Sequence, residues 1–406
     1  MDPKIMSVMV ILALLILTSA ARAASYTFQS FDEPNAFVYP GYEGTQPRGI
    51  NDKGQVSGYY RDSPGYHHGF IRSSDGTTYT SFDCTSSVCN GSGWSYGAGI
   101  NTSGVAVGYC LGTSLGYHRG FMRSAGGAYT AVEDPLVQRT YQDDGTTVSG
   151  INDKGQMVGY YTVTTGGHGV HGFFTKTDGT FVNVDYPSIN WTLALGINSG
   201  GDVTGYYSGG YCGYAAFYMT AVDGTYHNFE VPNAYGSGCT SPMGINDSRQ
   251  IVGYFRGADN KDHGFVRSAD GMQYSTLDYP SATLTRATAI NNSGQVTGYY
   301  QDSLGMHGFI ATPIPIQPVM IVGPPVSYSP TLIAAYLTLQ SVSTVTMKAQ
   351  DNPEFDGVFN LNKNVSLTLI GGYDSNFDEP PAGMTYIQGE LIVGSGSLIA
   401  ANLVID

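Results

Sequence analysis

The residues best suited to chemistry occupy one position of a phrase that recurs along the chain. This position precedes a Gly-Phe or Ala-Phe pair, and its six occupants are His68, Arg119, His171, Ala215, His263 and His307. Imidazole is a common metal ligand, so equivalent histidines suggest a metal ring. A ring of ligands would not tolerate an arginine and an alanine. We therefore predict that these histidines are structural partners of aromatic residues on the neighbouring strand, and that the chain holds no metal.

Other cofactor patterns find little support in the sequence. The turns spelled NDKG and NNSG offer one or two carboxylates each and lack the bidentate glutamate of an EF-hand loop. Asx turns, in which an Asn or Asp side chain bonds to nearby main chain, explain these turns better. No GxGxxG motif joins a strand to a helix, and the cysteines lack the spacing of a zinc, haem or iron–sulfur site. We therefore predict no bound cofactor.

Charged residues that break the repeat are the remaining catalytic candidates. They are Glu43, Glu133, Arg139, Asp143, Asp144, Asp259 and Asp262. Catalysis needs a singular constellation, such as paired carboxylates or a nucleophile with its base, and nothing in the sequence pairs these residues. We therefore predict that the protein is not an enzyme. A secreted polysaccharide hydrolase or lyase acting at the mouth of a central channel is the alternative.

The recurring phrase defines a structural unit that is repeated every 45 to 51 residues. Its Gly-Ile-Asn or Ala-Ile-Asn element places an asparagine at Asn51, Asn101, Asn152, Asn198, Asn246 and Asn291. An alternating run such as QVSGYY follows, then a variable loop, the HGF element, and a turn that is Asp-Gly in four copies. Asp-Gly favours tight hairpins because type I′ turns need positive φ. The unit therefore predicts four antiparallel strands, the size of one propeller blade.

The two ends of the repeat region predict how the array closes. The sixth copy stops after HGFIATP and lacks its fourth strand, whereas TFQSFDEPNA at 27–36 matches TYHNFEVPNA at 225–234. We therefore predict an all-β fold, a six-bladed β-propeller whose last blade is completed by the N-terminal strand. The glycine of VxGYY is predicted to mark a close approach between adjacent sheets.

The unit GINDKGQVSGYY…HGF resembles the extracellular HAF-type repeat of bacterial secreted proteins, with His-Gly-Phe in place of His-Ala-Phe. The resemblance covers about residues 26–312. It implies export and a propeller-like array, and it brings no catalytic motif to carry over to this chain.

The N-terminus and the overall charge indicate where the protein works. Residues 1–24 contain a lysine, an apolar run and small residues at the predicted cut, which is typical of a secretory signal peptide. No second long apolar run follows, so we predict no membrane span. The net charge of −14 disfavours binding to nucleic acid and to anionic lipid. We expect a protein that is secreted or attached to the cell surface.

The C-terminal part of the chain is predicted to be a second module. The propeller is assigned to 25–312, and a proline-rich linker to 313–330. Short apolar segments separated by Gly and Asn turns in 331–406 favour a short right-handed parallel β-helix. This stretch, especially LNKNVSLTLIGGYDSNF, resembles the opening coils of bacterial surface proteins with pectate-lyase-like solenoids. An uncovered end coil would favour attachment or self-association.

Aromatic residues that break the repeat indicate a binding surface. In this topology the loops between second and third strands, and those between one blade and the next, share one face of the disc. We predict a ligand-binding face there and assign to it Trp94, Tyr96, Tyr141, Trp191, Tyr211, Tyr235 and Arg139. Aromatic rings with polar neighbours suit sugar rings. The alternative is that these side chains only fill the spaces between blades.

All five cysteines map to the same face. In an exported protein they are expected to form disulfides. We predict a Cys212–Cys239 bridge, and a bridge from Cys110 to either Cys84 or Cys89, with a local Cys84–Cys89 bridge as the rival. An odd number of cysteines leaves one thiol unpaired.

These observations together favour an exported, non-catalytic surface or extracellular binding and adhesion protein. Its expected partner is a glycan or a cell-surface protein. The alternatives are the carbohydrate-active enzyme described above and a purely structural spacer.

Overall fold

The computed structural model describes residues 26–89, 94–112, 117–141, 144–164, 169–314, 319–322, 327–329, 344–350, 354–356, 359–361, 366–373, 385–388, 391–393, 397–401 and 403–405. The chain divides into two compact units, and the boundary falls after Ile314. The predicted signal peptide at 1–24 and much of the predicted linker at 313–330 lie outside the described residues.

In its described residues, the first unit consists of short strands and one four-residue helix. Its elements are β1 (Tyr26–Phe31), β2 (Thr45–Ile50), β3 (Val56–Arg61), β4 (His67–Arg72), β5 (Tyr79–Phe82), α1 (Ser86–Cys89), β6 (Ser95–Ile100), β7 (Ala106–Leu111), β8 (His118–Arg123), β9 (Tyr129–Val132), β10 (Thr146–Ile151), β11 (Met157–Val163), β12 (Gly169–Thr175), β13 (Phe181–Asn183), β14 (Thr192–Ile197), β15 (Val203–Ser208), β16 (Tyr214–Met219), β17 (Tyr226–Phe229), β18 (Thr240–Ile245), β19 (Ile251–Arg256), β20 (Asp262–Arg267), β21 (Tyr274–Leu277), β22 (Leu284–Ile290), β23 (Val296–Gln301) and β24 (Met306–Pro313).

These strands form four-stranded antiparallel sheets that follow the sequence repeat. Five sheets take their strands in chain order, β2 to β5, β6 to β9, β10 to β13, β14 to β17 and β18 to β21. The local cause of this antiparallel pairing is the predicted Asp-Gly hairpin turn. The four Asp-Gly turns have their glycines, Gly76, Gly179, Gly224 and Gly271, at φ between 68° and 84°. Only glycine adopts this conformation without steric cost, so each turn joins a third strand to a fourth.

The remaining sheet combines the two ends of the unit. Its strand order is β1, β24, β23, β22. Strand β1 runs antiparallel to β24, from Tyr26 opposite Pro313 to Phe31 opposite Gly308. Phe28 packs edge-on against Tyr279, with ring centroids 5.4 Å apart. The N-terminal strand therefore occupies the fourth place in the sheet that the sixth repeat leaves with three strands.

The asparagines of the repeated phrase link each sheet to the next. The side-chain amide of each one donates a hydrogen bond to the main-chain carbonyl of the following one, at 2.8 to 3.3 Å. The sixth, Asn291, donates to the carbonyl of the first, Asn51, at 3.1 Å. Each Oδ1 accepts from a main-chain N–H of its own turn, which is the predicted Asx turn. The six hydrogen bonds thus run in a closed cycle, called the asparagine ring below.

The core of the unit lies between neighbouring sheets. The phenylalanine of each Gly-Phe or Ala-Phe pair is fully enclosed: Phe70, Phe121, Phe173, Phe217, Phe265 and Phe309. Each contributes roughly 1.5–3 kcal/mol by leaving water. One sheet could not bury both of its faces alone, so the repeated phenylalanines require the sheets to pack on one another.

The predicted approach of adjacent sheets at the glycine of VxGYY is present in the first copy, because a Cβ on Gly97, in the next sheet, would run into the Gly58 carbonyl oxygen. A Cβ on Gly58 would run into the Gln46 carbonyl and the Pro47 Cα of its own sheet. The cause is a β-bulge in the first strand, between Pro47 and Gly49, that pushes this backbone toward Gly58. The glycine before Ile-Asn makes a second close approach between sheets. A Cβ on Gly49 would lie 2.9 Å from the Cα of Gly99.

The second unit contains parallel strand pairs. Its strands are β25 (Val319–Val322), β26 (Ser327–Ser329), β27 (Thr344–Gln350), β28 (Glu354–Asp356), β29 (Phe359–Leu361), β30 (Ser366–Tyr373), β31 (Thr385–Gln388), β32 (Leu391–Val393), β33 (Ser397–Ala401) and β34 (Leu403–Ile405). Strands β27, β30 and β33 pair in parallel, as do β28, β31 and β34, and also β29 and β32.

Successive strands of the second unit therefore stack on counterparts 18 to 32 residues later in the chain, as in the coils of a solenoid. Val345, Met347, Leu367 and Leu369 are buried along the first two coils. Strand β25 pairs antiparallel with β27 and covers its outer edge. In the part of the chain that the structure describes, no helix is long and apolar enough to cross a membrane.

Candidate binding face and central channel

Large exposed apolar side chains of the first unit are concentrated on one side. We define the loop face as the segments that join second to third strands and each sheet to the next. Antiparallel order places all of these segments at one end of the strands. Among the described residues the loop face carries Tyr39, Tyr42, Tyr66, Trp94, Leu136, Tyr141, Trp191, Tyr211, Tyr235 and Leu304, exposed by 37 to 72%. Within the part of the unit that the structure describes, the large exposed apolar residues on the tight turns at the opposite end are only Val222 and Met272.

Five of the aromatic residues predicted for ligand binding are exposed on this face: Trp94, Tyr141, Trp191, Tyr211 and Tyr235. Tyr211 and Tyr235 come together edge to face, with ring centroids 6.0 Å apart. Trp94 lies beside His67, with ring centroids 5.0 Å apart. The two tryptophans are in segments that follow different sheets, so the loop face holds more than one aromatic platform.

Two of the predicted residues lie in different surroundings. Tyr96 is inside strand β6 with only 9% of its surface exposed, and it stacks on Tyr109 at a centroid distance of 4.6 Å. Tyr96 is the second residue of β6, and its ring lies inside the unit and not on the loop face. Arg139 is half-buried and donates to Glu133 at 2.6 Å. Glu133 also accepts from Arg119 at 2.9 Å, so Arg139 belongs to an ion-pair network. Asp143 is outside the described residues.

The cysteines gather at two places on the loop face. Cys212 is bonded to Cys239, with their Cα atoms 5.0 Å apart. The sulfurs of Cys84, Cys89 and Cys110 form one buried group in which Cys89 is within bonding distance of both others. A sulfur forms one disulfide at a time, so only one of these two bonds exists in a given molecule. Each predicted alternative for Cys84, Cys89 and Cys110 therefore joins two sulfurs of this one group.

The repeated histidines pair across strands with the aromatic residues of GYY, as expected. His68 faces Tyr60 in the register, and their ring centroids are 5.2 Å apart. The ring nitrogens of these histidines contact carboxylates. His68 Nδ1, for example, lies 2.9 Å from Asp83 Oδ1. The same pairing occurs in three further sheets, with Asp185, Asp278 and Asp32. These histidines hold the third strand to the segment that leaves the fourth.

The carboxylates raise the affinity of two of these histidines for protons. Burial disfavours the charged form of His68, but the hydrogen bonds and charges of Asp83 and Asp62 outweigh it, so its pKa lies above the ordinary value. Asp278 and Asp259 raise the pKa of His263 in the same way, against burial. Both rings are therefore more readily protonated in the folded chain than in the unfolded one.

We expect the stability of the first unit to fall as pH rises from about 6 to 8. A histidine whose folded pKa is raised contributes fully below its unfolded pKa of about 6.5 and loses this contribution as pH passes the folded pKa. The effect is up to about 1 kcal/mol per residue because both pairs are partly exposed. Urea unfolding followed by tryptophan fluorescence measures it. His68→Gln with His263→Gln should flatten the slope, and an unchanged slope would contradict the assignment.

Six tyrosines line the axis that the asparagine ring surrounds. They are the tyrosines that directly follow the glycine of each GYY, GYC or GYF element: Tyr59, Tyr109, Tyr160, Tyr206, Tyr254 and Tyr299. Each lies near the next, and the sequence of neighbours returns from Tyr299 to Tyr59. Burial is the main cause that raises the pKa of Tyr59, and it raises that of Tyr109 strongly. The hydroxyls of Tyr59 and Tyr109 therefore stay protonated near neutral pH. We call this group the tyrosine ring.

Two arginines project among these tyrosines. Arg48 donates to Tyr59 Oη at 3.1 Å and to Gln46 Oε1 at 2.9 Å, and its guanidinium lies 5.4 Å from the Tyr299 ring centroid. Arg286 donates to Tyr299 Oη at 3.1 Å. It also forms an ion pair with Asp262, whose other oxygen accepts from Arg256 at 2.5 Å.

A variable residue stands at the loop-face end of each third strand, two places before the Gly-Phe or Ala-Phe pair. The occupants are His67, His118, Val170, Tyr214, Asp262 and Met306. His67 is buried, contacts Glu43 Oε2 through Nε2 at 2.5 Å and lies 3.3 Å from Tyr96 Oη through Nδ1. The hydrogen bond from His67 is the main cause that lowers the pKa of Glu43.

The sequence analysis did not identify these six residues as a set, because it considered the position directly after each of them, where histidine recurs. The useful signal was variation inside an otherwise repeated phrase. The structure pairs charges that looked isolated: Glu43 with His67, and Asp262 with Arg256 and Arg286. These partners come from different strands and sheets, so their spacing in the chain carries no pattern.

The opposite end of the channel forms a cavity of about 60 Å³ lined by the Ile-Asn pairs of all six repeats and by the residue after each pair. Three of those residues are carboxylates, Asp52, Asp153 and Asp247. Each accepts a main-chain hydrogen bond from the neighbouring turn, at 2.6 to 2.8 Å. The carboxylates therefore serve to join adjacent turns.

Comparisons with known proteins add a distant structural likeness. No family model and no curated protein sequence matches the chain. Among solved structures, the chain is similar to TolB from Acinetobacter baumannii, with 8% sequence identity and a TM-score of 0.41. The match covers 64% of this chain and 64% of that one, which is less than two thirds of either.

Proposed function

We propose that the protein is an exported, non-catalytic binding protein whose loop face recognises a glycan. Its first unit is interpreted as a six-bladed β-propeller closed by strand β1. The observation that carries this proposal is the segregation of exposed aromatic side chains, which lie on the loop face and not on the opposite turns among the described residues. Apolar surface exposed on one side only marks an interaction site.

The chemistry of the loop face favours a sugar. Exposed tyrosine and tryptophan rings stack on the apolar faces of pyranoses while their polar edges form hydrogen bonds. The Cys212–Cys239 disulfide joins two loop segments next to Tyr211 and Tyr235. A surface stiffened in this way loses little entropy on binding.

A non-catalytic role is supported by the state of the best acid–base candidate. His67 is 6% exposed, and its two nitrogens contact Glu43 and Tyr96. A general base must reach the proton that it abstracts, and neither nitrogen is free to do so. The second unit is proposed to attach the protein to the cell surface or to another copy.

We expect Trp94→Ala and Trp191→Ala to weaken glycan binding by about tenfold or more each, because loss of a stacking platform costs over 1 kcal/mol. A glycan array probed with wild type and each variant measures this. Met272→Ala is the matched control, since Met272 is 83% exposed on the opposite side. Binding that survives both tryptophan substitutions would contradict the proposal. No binding by wild type would favour a structural spacer.

The enzyme alternative has its own readout. Incubation of the wild-type protein with polysaccharides should produce no new reducing ends and no unsaturated sugars. Either product would replace the binding proposal with a hydrolase or a lyase.

A further inference from the structure

We propose that the channel beneath the loop face binds a carboxylate group, with Arg48 as its charged donor, and that the glycan recognised by the loop face is therefore an acidic one. This inference rests on the proposed function for its glycan, while the carboxylate site itself rests on the channel.

Arg48 is an exception within the repeat. The equivalent positions of the other five first strands hold Ala98, Ser149, Leu195, Met243 and Thr288, all uncharged. The fold therefore does not require a cation here. A charged residue enclosed by aromatic rings costs desolvation, so its presence at one position of six needs a reason other than the architecture.

Arg48 has no carboxylate among its hydrogen-bond partners, which are the neutral oxygens of Gln46 and Tyr59, and no ion pair to Arg48 occurs among the described residues. Glu43 is hydrogen-bonded to His67, which is the main cause that lowers the pKa of Glu43, and the charge of Arg48 lowers it further. Arg286 differs, because Asp262 neutralises it. Arg48 is half-buried as a residue, so part of its surface remains accessible. Arginine presents five N–H groups in a fork that matches a carboxylate.

The hydroxyls around Arg48 add neutral donors. Tyr299 accepts from Arg286 and so has its own proton available for a ligand, and its ring lies against the Arg48 guanidinium. Burial raises the pKa of Tyr109 well above its ordinary value, which keeps this nearby hydroxyl a donor. Charge-assisted hydrogen bonds in such a low-dielectric channel are stronger than in water.

The path from the loop face to Arg48 passes an exposed aromatic platform. Trp94 is 37% exposed and contacts the His67 ring, His67 contacts Tyr59 at a centroid distance of 5.8 Å, and Tyr59 accepts the hydrogen bond of Arg48. Glu43, the carboxylate at this rim, is engaged by His67. A uronic acid unit, whose ring stacks while its carboxylate points inward, fits this sequence of groups.

Binding of monosaccharides to the full-length protein tests the inference. Sodium galacturonate should raise the thermal midpoint of wild type, whereas galactose and the methyl ester of galacturonate should have a smaller effect. Sodium acetate distinguishes a general carboxylate site from a uronate site. Arg48-dependent binding of both acids would support the carboxylate chemistry, and binding of galacturonate alone would further support the acidic sugar.

Arg48→Gln should weaken galacturonate binding by about ten- to a hundredfold, since a charge-assisted hydrogen bond is lost. Arg249→Gln is the control of equal charge change, because Arg249 lies on a turn at the opposite end and pairs with Asp202. Arg48→Lys serves if Arg48→Gln does not fold, and it should bind galacturonate several-fold more weakly than wild type.

Unchanged galacturonate affinity in Arg48→Gln, or in Arg48→Lys if only that variant folds, would overturn the inference. Wild-type binding of neutral glycans without any binding of galacturonate would also overturn it while leaving the proposed function intact. Failure of the proposed function would instead appear as loss of all glycan binding on the array, with Arg48-dependent acetate binding still present if the carboxylate site is real.

Discussion

Gly205→Ala is expected to destabilise the first unit by about 3 kcal/mol or more. A Cβ at this position would collide with the main-chain carbonyl oxygen of Leu193, on the adjacent strand of the same sheet. The bulge between Ala194 and Gly196 holds that carbonyl in place, so the backbone cannot retreat without breaking the β14–β15 pairing. Urea unfolding should show a lower midpoint.

The matched control for this substitution is Gly126→Ala. A Cβ there would meet only the Ser124 hydroxyl, at 3.9 Å. Its unfolding midpoint should lie close to wild type. Equal losses for the two variants would contradict the prediction. The lower entropy of the unfolded chain that alanine brings stabilises the fold, so only the clash at the bulge should produce a large loss.

Asn152→Asp is expected to cost roughly 3 kcal/mol at neutral pH. Asn152 is 5% exposed, and its Nδ2 donates to the Asn198 carbonyl at 2.8 Å and to Gln156 Oε1 at 3.0 Å. An aspartate at this position can still accept the hydrogen bonds of the Asx turn. Its second oxygen, however, would face the Asn198 carbonyl and Gln156 Oε1, which are also acceptors. The asparagine ring would be interrupted at this link, and the two sheets beside it would lose their shared hydrogen bond.

The loss should depend on pH in a direction that identifies its cause. A protonated aspartic acid can donate to the Asn198 carbonyl, so the folded state raises the pKa of the new side chain above its unfolded value of about 3.9. Relative to wild type, the variant is therefore least impaired at acid pH and becomes less stable as pH rises through the raised pKa. Unfolding at pH 4 and pH 7 measures this difference. Asn233→Asp, at an exposed loop position, should show no such dependence.

The sequence by itself determined the features that depend on neighbours along the chain. Alternating runs and Asp-Gly pairs specified the hairpins, since a tight turn is a local event. The Asx turns followed from Asn and its next few residues. Histidine opposite the GYY aromatic could be predicted because cross-strand register within a hairpin follows from the loop that closes it. The position of the exposed aromatic residues in connecting loops could be predicted from the sequence for the same reason.

Only the tertiary structure decided which of these repeated parts meet across sheets. Asn291 bonds to Asn51, 240 residues away, and Arg48 lies against Tyr299 of the preceding sheet. Such contacts depend on how far each bulged first strand leans toward its neighbour, which no local pattern in the chain specifies. Local sequence patterns set the conformation of one unit, whereas the contacts between units arise from packing, and packing joins residues that no spacing in the chain relates.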